Sequence, residues 1–198
     1  GIKGSRTVSA SLRRAKGKEG RSTEQGAGPR HFLDLRDFDT ATLRQMLDIA
    51  SGFKRAGGVS SRPLAGKTLA LIFEKPSLRT RTTFTVAIDT LGGNCVDFPP
   101  GDIGLGKRES VFDVAKNLER MVDGVMIRTF GQDIVISFAN FARIPIINGL
   151  TDFEHPCQAM ADFFTIYEHK KNIKKLKIAY IGDGNNVAHS LLLMAGKW

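Results

Sequence analysis

The residues best suited to chemistry lie where an apolar run stops and a helix begins. Leu69-Ala70-Leu71-Ile72-Phe73 is followed by Glu74-Lys75-Pro76-Ser77-Leu78-Arg79-Thr80-Arg81. Ser77 suits the N-cap of a helix that starts after Pro76. A helix start presents unpaired N–H groups and the positive end of the dipole, and both favour an anion. Ser77 and Thr80 add hydroxyl donors, and Arg79 and Arg81 add planar donor forks suited to phosphate. The two arginines are two apart, so a helix points them to different faces and at most one should meet a ligand. The plainer alternative is a capped helix with surface arginines.

Two further stretches could reach the same place. Gly124-Val125-Met126-Ile127-Arg128 reads as a strand ending in an arginine, either a ligand group or an ordinary ion-paired one. Downstream, His155-Pro156-Cys157-Gln158 opens another helix: the residue before a proline is extended, and proline suits the first helical position. Gln158 then falls in the first turn. An imidazole, an amide and an arginine beside an anion site could cage a carbonyl next to a phosphate. His31, His169 and His189 read as structural. Gly182-Asp183-Gly184-Asn185-Asn186 begins like a dinucleotide fingerprint, but Val187 stands where the third glycine belongs, and a nicotinamide site is set aside.

These groups meet only if the elements between them place them on one edge. Asp39 can cap a helix carrying Leu43, Met46, Leu47 and Ile49, with Gly57-Gly58 and Pro63 after it. Beyond it, apolar runs at 68–73, 94–98, 124–128, 145–148 and 177–181 alternate with helical stretches at 79–91, 109–121, 132–142, 156–170 and 187–197. Such alternation indicates βαβ units and a doubly wound parallel sheet of the α/β class, with helices on both faces. Ligands in such sheets bind beyond the carboxyl ends of the strands, where the three stretches above all fall. The expected division is a basic leader over 1–30, a first domain over 31–171, and from 172 to 198 the first strand-helix unit of a second α/β domain. That unit should leave Ile178, Tyr180 and the Leu191–Met194 stretch exposed.

The net charge of +9 is uneven. Residues 1–30 hold eight Lys or Arg against two acids, a net +6 that leaves +3 for the other 168 residues. The basicity therefore argues for a disordered leader rather than a nucleic-acid-binding surface. Cys95 and Cys157 stand far apart with no metal-ligand spacing, which suggests free thiols and a cytoplasmic setting. No apolar run approaches the roughly 20 residues of a membrane span.

The four motifs, from Phe73–Arg81 through Ile127-Arg128 and His155–Gln158 to Gly182–Asn186, resemble in order and spacing those of the ornithine carbamoyltransferases. The resemblance covers about residues 31–198. Lys75 and the Gly-Asp-Gly-Asn-Asn turn are similar to the ornithine rather than the aspartate branch. It implies carbamoyl transfer from carbamoyl phosphate to the side-chain amine of L-ornithine, giving citrulline and phosphate, with no metal and no cofactor. It also implies roles. Ser77, Arg79, Thr80 and the backbone at Leu78 would hold phosphate, and Arg128 would bridge phosphate and carbonyl oxygen. His155 and Thr80 would donate to that oxygen, Gln158 would orient the carbamoyl amide, and Asn186 would contact ornithine. Arg81 would be structural. The family's trimers form through this half, so a homotrimer is implied, with neither nucleic acid nor membrane as partner. Putrescine or an acylated ornithine as acceptor stays open, as does a non-catalytic carbamoyl-phosphate-binding relative.

Three departures bear on this. Leu78 stands where the family usually has Thr. Gly104 stands where many members place a Gln or His that reaches a neighbouring subunit's site. The family's later Ser-Met-Gly and His-Cys-Leu-Pro segments do not occur before Trp198, so the chain reads as truncated after the first domain and unable to turn over ornithine.

Overall fold

The computed structural model describes residues 30–59, 61–170, 173 and 176–198. The leader expected over 1–30 therefore lies outside the described residues except for Arg30, as does most of the junction at 171–175.

Four parallel strands form one sheet in the order β2-β1-β3-β4: β1 (Thr68–Phe73), β2 (Asn94–Phe98), β3 (Gly124–Arg128) and β4 (Ile146–Leu150). The helices are α1 (Thr40–Arg55), α2 (Arg79–Thr90), α3 (Val111–Leu118), α4 (Gln132–Phe141), α5 (Pro156–His169) and α6 (Asn186–Lys197). The doubly wound arrangement expected from the alternation is present, with boundaries that differ by a few residues. A single 3-10 turn at Leu35–Asp37, capped by Asp34, precedes α1 and had no sequence signal of its own. Asp39 caps α1 by accepting the Thr42 N–H at 2.7 Å.

Strand alternation divides the core between the two faces of the sheet. Ala70, Ile72, Val125, Ile127 and Ile146 point to one face, where Val114, Ala115 and Leu118 of α3 and Val135, Phe138 and Ala139 of α4 cover them. Leu69, Leu71, Phe73 and Met126 point to the other, against Phe84 and Ile88 of α2. A third cluster joins Leu35, Phe38 and Leu43 to Ala159 and Phe163 of α5 and to Met194 of α6. Beside β4 the entering chain adds a short bridge, with Phe32 N–H donating to Ile146 O and Asn148 N–H to Phe32 O, each at 2.8 Å.

Two expectations about the last segment need correction. Residues 177–181 are not a strand. A parallel strand exists through its ladder, and no described strand lies beside this run to pair its backbone groups. Ile178 and Tyr180 are exposed, as expected, and so is Ile181, but α6 is not the bare helix anticipated. Met194 is fully buried, Leu191 and Leu193 pack on the third cluster, and Leu192 alone of the stretch is largely exposed.

Candidate functional site

The carboxyl ends of β1, β3 and β4 lie side by side, so their following loops share one rim. After β1, Glu74 N–H donates to Arg128 O at 2.8 Å, which carries the sheet ladder one residue into the loop. Ser77 Oγ then accepts the Thr80 N–H at 3.2 Å, the capping bond expected of it, although the helix is bounded one residue later at Leu78. Leu78 itself is 80% exposed and makes no side-chain cap.

The arginine at the end of β3 meets this turn directly. Arg128 Nη1 donates to Thr80 Oγ1 at 3.2 Å, across 48 residues of sequence. A register irregularity between Ile127 and Arg128 pairs Arg128 with Leu150, skipping Gly149; such bulges re-aim the side chain that follows. Burial and the neighbouring Arg79 charge both lower the pKa of Arg128 below the usual arginine value. Two like charges held close, one half-buried, create a field that an anion relieves.

His155 lies within reach of the same field. Burial and the Arg128 charge push its pKa down to about 4, against a smaller opposing pull from Asp162, so the imidazole is neutral near pH 7. Its main chain (φ −129, ψ 69) is outside the helical region, as the following proline requires. Arg128 Nε and His155 Nδ1 are both buried without a hydrogen-bond partner among the described residues. Buried polar atoms are seldom left so, and two of them in one cluster fit a polar ligand.

Ser77, Thr80, Arg79, Arg128 and His155 thus come to one rim, but two expected members are engaged elsewhere. Gln158 is exposed and its amide donates to Asp162 Oδ1 at 3.0 Å, one turn along α5. Asn186, at the start of α6, donates its amide to Thr151 O at 2.6 Å. Arg81 turns from the rim: its Nε lies 3.3 Å from Asp97 and its guanidinium 4.8 Å from the Phe73 ring centre. Among the described residues a groove of about 620 Å³ lies beside β2, lined by Val96, Phe98 and Met121.

Sequence reasoning missed the groups that hold the rim together. Thr129 Oγ1 donates to Glu74, and Lys75 pairs with Asp152 while sitting 4.3 Å over the Phe130 ring. Gln132 Oε1 accepts from Thr151 Oγ1 at 2.6 Å and its amide donates to Leu33 O at 3.2 Å. Glu154, fully buried, accepts the Leu35 N–H. Burial first, then the Asp34 carboxylate, raise its pKa to about 7. A polar residue just past each strand was the available signal, but only the fold says which partner it finds. His31 and His189 are structural as expected: Ile146 N–H donates to His31 Nδ1 at 3.2 Å, and His189 Nδ1 lies 3.0 Å from Phe153 O.

Comparison with known proteins agrees with the motifs. Residues 30–168 match the family described as aspartate/ornithine carbamoyltransferase, carbamoyl-P binding domain. An ornithine carbamoyltransferase of Anoxybacillus flavithermus is 48% identical over 168 residues, which is 84% of this chain and 54% of that protein. The solved ornithine carbamoyltransferase of Pyrococcus furiosus superposes with a TM-score of 0.80 at 44% identity, over 85% of this chain and 54% of that one. A solved N-acetyl-L-ornithine transcarbamylase is less similar, at a TM-score of 0.66 and 33% identity over 71% of this chain and 48% of that one. The chain thus spans about half the length of the relatives it matches. It belongs to the aspartate/ornithine carbamoyltransferase family, whose carbamoyl-phosphate-binding domain it contains.

Proposed function

We infer that the rim binds carbamoyl phosphate and that the whole protein transfers the carbamoyl group to the side-chain amine of L-ornithine, giving citrulline and phosphate. The observation that carries this is the Arg128–Thr80 contact, which fuses the end of β3 to the start of α2 beside the charge of Arg79. In this reading Ser77, Arg79, Thr80 and the N–H groups around Leu78 hold phosphate. Arg128 spans phosphate and carbonyl oxygen, and the neutral His155 donates to that oxygen with Thr80. Gln158 turns from Asp162 to the carbamoyl amide, and Asn186 contacts ornithine.

The chemistry needs little else from the protein. Amine addition to the carbonyl carbon puts negative charge on the carbonyl oxygen; as the adduct collapses the bond from carbon to the bridging oxygen breaks, the charge leaves on phosphate, and the attacking nitrogen gives up a proton. Donors already aimed at both places stabilise that charge, and loss of one typically costs on the order of 10²–10³ in rate. Ornithine is favoured over an acylated ornithine because the ornithine enzymes are nearer in both sequence and structure. Homotrimer formation is part of the same reading. No residue of α2 is fully buried and the edge strand β2 is mostly exposed, which leaves a face for other copies.

Calorimetry on the 198-residue chain tests the proposal. Carbamoyl phosphate should bind, and Arg79→Ala or Arg128→Ala should weaken it. A citrulline assay on the same protein should read background, because the amine is unplaced without the remaining half of the enzyme. Undiminished binding in Arg128→Ala would overturn the site; citrulline at an ordinary enzymatic rate would overturn the account of the acceptor.

A further inference from the structure

His155 is held through its main chain. Its ring Nδ1 has no partner among the described residues, and Pro156 supplies no N–H, so the last amide before α5 that can be anchored is that of His155 itself. That N–H donates to Ser190 Oγ at 2.9 Å. Ser190 is fully buried in α6, where a serine hydroxyl more often folds back on its own helix.

The contact is one of three in a pattern. Asn186 Nδ2 donates to Thr151 O at 2.6 Å, His189 Nδ1 faces Phe153 O at 3.0 Å, and Ser190 accepts from His155. Residues 186, 189 and 190 share one helix face, and 151, 153 and 155 are alternate residues of the loop after β4. One side of α6 therefore grips one edge of the segment that carries the imidazole.

We propose that Ser190 is a positioning residue: it fixes the backbone of His155 so that the imidazole meets the carbonyl oxygen of a ligand whose phosphate rests on Ser77, Arg79 and Thr80. This rests on the carbamoyl-phosphate reading of the rim and adds to it a group on α6, more than 30 residues away, that bonds to the main chain of His155.

The two halves of the ligand separate the roles. Inorganic phosphate needs only the α2 turn and the arginines, whereas carbamoyl phosphate also uses His155. Calorimetry with each on the full chain gives a ratio of affinities. Ser190→Ala should lower that ratio about tenfold, the scale of one buried hydrogen bond, and leave phosphate affinity within about twofold. His155→Ala should lower the ratio too, and the double variant should fall no further than His155→Ala alone, because the serine acts only through the histidine. A ratio unchanged in Ser190→Ala overturns the proposal while the rim stands. A wild type that binds the two anions equally overturns the carbonyl reading and this proposal together. Should Ser190→Ala fail to fold, amide exchange on the wild type decides. By reciprocity, carbamoyl phosphate must slow exchange at His155 more than phosphate does, and equal protection by both overturns the assignment.

Discussion

Arg79 and Arg81 sit two residues apart on one helix, and replacing each by Ala should give opposite phenotypes. Arg81 is tied down on two sides. Its ion pair with Asp97 is about one-third exposed at both ends, worth ~0–1 kcal/mol at such a site. Its guanidinium over the buried Phe73 ring adds ~0.5–1 kcal/mol. Arg81→Ala should therefore cost about 0.5–2 kcal/mol of stability, read as a lower urea midpoint with an unchanged slope. Carbamoyl phosphate binding should hold within about threefold once folded protein is compared, a shift below 1 kcal/mol. Arg79 is exposed, has no ion pair among the described contacts, and raises the electrostatic cost of Arg128. Arg79→Ala should leave stability unchanged or slightly higher, while removing a charge-assisted hydrogen bond worth about 1.5–3 kcal/mol, or roughly 10- to 150-fold in affinity. Calorimetry and urea unfolding on both variants decide. Weaker binding in Arg81→Ala than in Arg79→Ala would refute the division of labour between the two faces of α2.

Glu154→Gln should remove a pH dependence. A carboxyl whose pKa rises on folding from 4.5 to about 7 gives stability that is complete below pH 4.5 and lost as pH climbs through 7, and the amide should flatten that decline by about 2–3 kcal/mol in urea unfolding at pH 8. His155 should stay neutral from pH 8 down to about 4 by histidine NMR, contributing stability above pH 6.5 that is lost as pH falls toward 4; a midpoint near 6.5 would contradict its burial beside Arg128. Gly104→Gln should cost about 1–3 kcal/mol in unfolding assays, because Gly104 has φ +63 and an added Cβ would stand 2.9 Å from Arg108 Cβ. An unchanged midpoint would show that this loop can adopt another path.

Strands, crossovers and the capped turn before α2 were legible because each has a local signature. An apolar run ends at Phe73, a proline and a serine follow, and the turn forms where they stand. That Arg79 and Arg81 face differently followed from helical spacing, although the partner Asp97 did not. Long-range polar partners were not legible. Nothing near Gln132 announces Thr151, and nothing near Ser190 announces His155, since each pairing exists only after the sheet sets both segments side by side. The strand expected at 177–181 failed for the converse reason. Its residues favour extended chain, but pairing depends on neighbours that local pattern does not contain. Gln158 was placed in the right turn of α5, yet which way its amide turns was set by Asp162, a competitor one turn on.

The strand order has a thermodynamic consequence. Thr80 and His155 follow β1 and β4 and Arg128 ends β3 between them, so no short fragment of the chain presents all three. An anion bound there recognises only the assembled sheet and draws the folding equilibrium toward it. At a hundred times its dissociation constant such a ligand adds about 2.7 kcal/mol to the apparent stability. Phosphate in a buffer would then act as a folding ligand for this protein. Melting temperatures taken in phosphate and in an organic buffer would differ for a reason that lies at the rim of the sheet, and the difference would vanish in Arg128→Ala.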